Sequence, residues 1–135
     1  MSKSVLGKWL KKDVKIRKKE HFPRIGFDLE FEALTWSEQK QLIKEHTVKL
    51  KKGKERFEED AYTAAIIARS LVSADGEPLD LNNPETLQEN GFTSTEDAVN
   101  KLFSVGEIKK ANEIIKEISG FNEEDEEEEV EELKN

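Results

Sequence analysis

Two histidines, His21 and His46, are the first residues to test for chemistry, because an imidazole can hold a metal or move a proton near neutral pH. Neither has the HExxH spacing or the cysteine neighbours of a zinc site, so each reads as a surface residue. The chain contains no cysteine. That removes a thiolate nucleophile, a Cys-type zinc site and any sign of an oxidising compartment. Its seven glycines never assemble into GxxxxGK(S/T) or GxGxxG, so no phosphate cradle is signalled. The stretch DLNNPE offers Asp80, Asn82 and Asn83 as oxygen ligands, but it lacks the EF-hand spacing, its glycine and its closing bidentate glutamate. A turn running into a helix cap is the expected reading. Carboxylates are abundant, yet nothing marks two of them for burial, and unburied carboxylates keep ordinary pKa values. No catalytic residue, cofactor, metal or small-molecule substrate is expected.

Charge is the stronger signal. The 135 residues carry a formal charge of −8, and residues 122–135 hold nine of the 30 acids against one of the 22 bases. Residues 1–121 therefore balance at 21 of each sign. Within them, residues 1–24 have nine Lys or Arg against Asp13 and Glu20. Lys8, Lys11, Lys12, Lys15, Arg17, Lys18 and Lys19 would be the phosphate-binding set of a small nucleic-acid-associated regulator. The acidic tail repels phosphate and competes for those lysines, so nucleic acid is the alternative rather than the expected partner. Val5, Leu6, Trp9 and Leu10 lie at helical spacing with lysines opposite. A helix this short is marginal alone and must bury that stripe, first of all against its own core, otherwise in a partner. In the tail, Glu126, Glu127, Val130 and Leu133 are the matching candidates: like charges solvate, but two apolar residues three apart allow a helix to form on a partner. There is no apolar run long enough for a secretory signal or a membrane span, so a soluble cytoplasmic protein is expected.

The elements that must position these residues follow from local pattern. A short amphipathic helix over SVLGKWLKK, with Ser4 as a possible cap, opens the chain. Phe27, Leu29, Phe31 and Ala33 alternate with acids, a half-buried strand, and VKIRKKE pairs with it across the FPRIG loop. Thr35 and Glu38 form a capping box for a helix from Trp36 to about His46. TVKLKKGKERFEED reads as an exposed loop or frayed strand. The helix in FEEDAYTAAIIARSLVSA, with Phe57, Ala61, Ala64, Ala65, Ala68, Leu71 and Val72 on one stripe and Ile66 and Ile67 beside it, is expected at the centre of the core. DGEPLDLNNPETLQENG is loop, with a short helix capped by Asn83. Thr93 with Glu96, and Ser104 with Glu107, predict two more capped helices, the last closing at Gly120. The expected fold class is mainly α (α+β): residues 1–121 form a single small domain of about five helices with a β-hairpin around 14–34. Residues 122–135 form an acidic tail, disordered or conditionally helical.

The order of these parts resembles the XkdN-like tail assembly chaperones of long-tailed phages and prophages of Gram-positive bacteria. The features that carry the resemblance are AYTAAIIARSLV, LFSVGEIKKANEIIKEISGF and a Glu-rich end finishing in Lys-Asn; LFSVGE departs from the pattern in lacking a proline before the glycine. The resemblance implies a non-enzymatic chaperone in the host bacterial cytoplasm, absent from the mature virion. Its implied partners are the tape measure protein and the major tail tube protein. It also implies a longer frameshifted product continuing near the acidic end.

Overall fold

The computed structural model describes residues 2–11 and 16–120, the side chains of Ser2, Lys3, Ser4, Leu10 and Lys11 excepted. Its elements are α1 (Ser2–Lys11), β1 (Arg17–Phe22), β2 (Phe27–Glu32), α2 (Trp36–Glu45), β3 (Thr47–Lys49), β4 (Glu55–Phe57), α3 (Glu59–Ser70), β5 (Leu71–Ala74), β6 (Glu77–Pro78), α4 (Pro84–Glu89), α5 (Thr95–Leu102) and α6 (Val105–Ser119). The class is α+β with the hairpin near the start, as the sequence predicts. The described residues contain six helices rather than about five, and more strand than one hairpin. Helix α1 begins at Ser2, so Ser4 lies inside it rather than at the residue before its start. The acidic tail falls outside the described residues.

β1 and β2 pair antiparallel from Arg17 opposite Glu32 to Phe22 opposite Phe27. Their four-residue loop closes when the Gly26 N–H donates to the Phe22 carbonyl at 2.8 Å, with Gly26 at φ 90°, a conformation that suits glycine. β2 also pairs with β5, and β5 with β6, giving a four-stranded antiparallel sheet in the order β1-β2-β5-β6. The β2–β5 register jumps between Glu30 opposite Ser73 and Phe31 opposite Leu71, so Val72 is the extra residue of a β-bulge.

This sheet corrects the expected run of α3 through Ala74. The helix stops at Ser70, whose hydroxyl donates to the Glu32 carbonyl at 2.7 Å, and Leu71 is already extended at φ −69°, ψ 115°. The second edge of β2 needs hydrogen-bond partners, and Leu71–Ala74 supplies them. Asp75 and Gly76, at φ 53° and 77°, then make the two-residue left-handed turn into β6, inside a stretch expected to be loop. A smaller hairpin of β3 and β4 lies in the predicted loop or frayed strand, turning through Lys52 and Gly53, both at positive φ.

α6 lies against β1 and β2, and α3 packs on α2, α5 and α6. The core takes Phe22, Leu29 and Phe31 from the sheet, Ile43 from α2, Tyr62, Ile66 and Ile67 from α3, Val99 from α5 and Ile115 from α6. Phe22 meets the Phe31 ring at 6.1 Å and the Phe103 ring edge-on at 6.3 Å, both favoured aromatic separations. α3 packs on three other helices, and Tyr62, Ile66 and Ile67 are its largest fully buried side chains, while Ala61 and Ala65 of the expected stripe stay half-buried.

Candidate functional site

The sequence singles out the apolar face of α1 as a surface for a partner. Val5, Leu6 and Trp9 occupy positions i, i+1 and i+4 of the helix, one side of it. All three are exposed, at 58%, 55% and 71% of their accessible surface. The core of the body thus does not cover them, contrary to the first expectation for this stripe. The core is already filled by Phe22, Phe31, Phe103 and the residues of α3 and α6. The Leu10 side chain lies outside the described residues, as do Glu126, Glu127, Val130 and Leu133.

The chain re-enters the body at Ile16, whose carbonyl accepts the Ala33 N–H at 2.7 Å. One residue further on, the Leu34 N–H donates to the Ser119 hydroxyl oxygen at 2.9 Å, pinning the last turn of α6. α2 starts beside this corner, its capping box made by Thr35 and Glu38 as predicted. Ile16 and Trp36 remain 59% and 65% exposed there, with the Lys40 ammonium 3.9 Å above the Trp36 ring. Sequence reasoning passed over both; an exposed aromatic beside a predicted cap was the available signal.

The basic strand behaves differently from α1. Arg17, Lys19 and His21 face Glu32, Glu30 and Asp28 across the β1–β2 ladder, a run of opposite charges on one face. The Arg17 guanidinium reaches Glu32 at 2.8 Å and Glu30 at 3.8 Å, and His21 Nδ1 lies 2.9 Å from Asp28. On the other face Lys18 pairs with Glu117 at 3.2 Å. A lysine-rich sequence becomes a locally neutral surface, which weighs against phosphate binding at β1. Lys8 is exposed on α1, while Lys12, Lys15 and the Lys11 side chain lie outside the described residues.

A second cluster fixes the hairpin to the helices. From the β1–β2 loop, Arg24 Nε donates to both Glu107 carboxylate oxygens at 2.9 Å, and its Nη2 donates to Glu107 Oε1 at 2.6 Å and to the Leu102 carbonyl at 2.8 Å. Glu107 also accepts the Ser104 N–H at 2.8 Å, completing the predicted capping box of α6. The Arg24 hydrogen bonds hold the Glu107 carboxyl at about 2, against the opposing effect of burial and with help from Ser104. Lys110 adds a strut from α6, donating to the His21 carbonyl at 2.7 Å. These contacts position the hairpin on the helices.

The other candidate groups are committed to local structure. Asp80 accepts the Asn82 N–H at 2.9 Å, and Asn83 accepts the N–H groups of Glu85 and Thr86 as the cap of α4. His46 Nδ1 lies 2.7 Å from the Leu42 carbonyl. No three His, Cys, Asp or Glu side chains come together to hold a metal among the described residues. No described helix is long and apolar enough to cross a membrane.

A family model described as phage XkdN-like tail assembly chaperone protein matches residues 6–134. The match takes in α1 from Leu6 onward, the whole body and the acidic segment as far as Lys134. Neither a curated protein nor a solved structure matches the chain.

Proposed function

The chain belongs to the phage XkdN-like tail assembly chaperone family, and we propose that it acts there without catalysis, binding the tape measure protein and helping to recruit tail tube subunits. The observation that carries this reading is the uncovered apolar face of α1, with Val5, Leu6 and Trp9 exposed on a helix outside the packed core. A long helical client offers apolar stripes, and a short amphipathic helix can lie along one of them through anchors at i, i+1 and i+4. Trp9 is the natural anchor, since large aromatic side chains dominate binding energy where they are fully desolvated. Leu10, and Glu126, Glu127, Val130 and Leu133 in the acidic segment, extend the proposed partner surface. The acids also supply the charge that keeps a complex with a sticky client soluble. The setting we propose is the cytoplasm of a Gram-positive host carrying a long-tailed phage or prophage, with the protein gone from the finished particle.

Co-expression with the tape measure and tube proteins tests this. The wild-type chain is expected to form a soluble complex with the tape measure protein, and a Leu6→Ala, Trp9→Ala double variant to lose it while remaining folded. Unchanged client solubility and no complex with the wild-type chain would sink the proposal.

A further inference from the structure

The body holds its two ends at one place. Ile16 is tied to the Ala33 N–H and Ser119 to the Leu34 N–H, so the described residues next to the two end segments, 1–15 and 121–135, are held at consecutive backbone amides. Those segments carry opposite charge. Residues 1–15 contain five lysines against Asp13, and residues 121–135 contain nine acids against Lys134. The first segment presents α1 with an apolar face that nothing in the body covers; the second brings Phe121, Val130 and Leu133 among its acids.

From this juxtaposition we infer that residues 121–135 dock in cis on the exposed face of α1, covering the surface until a client displaces them. The inferred contact rests on α1 being the client surface. The spans agree. α1 is about 15 Å long at 1.5 Å per residue, and residues 12–15 place it no more than about 17 Å from Ile16 when fully extended. A chain of fifteen residues has a root-mean-square reach of about 20 Å. Matched spans give the tail an effective concentration near the millimolar range at α1, so a contact too weak to form between separate molecules is populated within one. The opposite charges of the two segments favour the contact, and Val130 and Leu133 supply apolar side chains suited to the face that carries Leu6 and Trp9. Attraction between exposed charges is screened by salt, which makes the docked state salt-sensitive.

Trp9 reports the contact directly. A Trp36→Phe variant leaves Trp9 as the sole tryptophan, and acrylamide, being uncharged, quenches it without sensing the acids. In the full chain without any client, quenching of Trp9 is expected to rise about twofold when the protein is ended after Gly120, as for a contact half-populated at millimolar effective concentration. A full-length variant with Glu126, Glu127, Glu128 and Glu129 changed to Gln, which leaves the end of α6 intact, is expected to show the same rise. High salt should raise quenching in the full chain and leave the shortened chain unchanged. Equal quenching in all forms would overturn the inference, and protection that disappears on dilution would overturn it in favour of a second copy on α1. Because no client is present, failure here leaves the chaperone reading standing, and loss of client binding would leave the quenching result standing.

Discussion

Glu107 is the residue where geometry and charge make the sharpest forecast. Its carboxyl titrates near 2 in the folded chain against an ordinary value of 4.5, so folding favours its ionised form. A depressed folded pKa contributes stability that is fully present above about pH 4.5 and is lost as pH falls toward 2. Urea unfolding between pH 5.5 and pH 2.5 is therefore expected to show a steeper acid loss in the wild-type chain than in Glu107→Gln, on the order of the linkage expected for one carboxylate. Parallel curves would remove Arg24 from the account of stability. The core supplies a larger effect: Phe31 is fully buried, and Phe31→Ala is expected to cost about 3–5 kcal/mol, whereas Trp36→Ala, at an exposed site, should stay within about 1 kcal/mol. Chemical denaturation of the two variants checks the contrast. At this scale the sequence was informative wherever a bond is local. The Ser104–Glu107 box spans three residues and was readable; the Arg24–Glu107 bonds join positions 83 apart and were not.

The elements divide along the same line. Three helix starts were predicted from hydroxyl-to-acid spacing, and two fall on the expected residues. The third shifted by one: Ser94 caps α5 by accepting the Asp97 N–H, while Asp97 accepts the Thr93 N–H. Three hydroxyl residues in a row, Thr93, Ser94 and Thr95, left the register open, and the Thr95 bond to the Leu81 carbonyl at 3.1 Å helps fix it. β5 and β6 were missed although the signal was present, since Asp-Gly between two short runs is a strong mark of a two-residue hairpin. The helical stripe through Leu71 and Val72 outweighed it, because periodicity cannot see the free edge of β2. Gly76→Val should therefore cost about 1–2 kcal/mol by forcing a branched side chain to φ 77°, while Asp75→Asn, a residue tolerated at positive φ, is near neutral. Thermal melts of both variants test whether this turn is the structural device inferred here.

For the whole molecule, we propose that residues 122–135 are not part of the packed domain. Ending the chain after Asn122 should shift the melting temperature by less than the ~4 °C that 1 kcal/mol produces in a domain of this size. Solubility or tail assembly should change; a large loss of stability would instead make the acidic segment part of the fold. The sequence alone determined the charge partition, the α+β class, the local caps and the family pattern, because formal charge is covalent and caps are made within three or four residues. Only the tertiary structure decided that the basic residues of β1 are matched by the acids of β2, that α1 keeps Val5, Leu6 and Trp9 outside the core, and that Ile16 and Ser119 bond to the consecutive residues Ala33 and Leu34. Each depends on groups that are distant in the chain and are brought into reach by burial of the core between the sheet and α3 and α6. Local pattern names the groups that can pair, and packing selects the pairs that form.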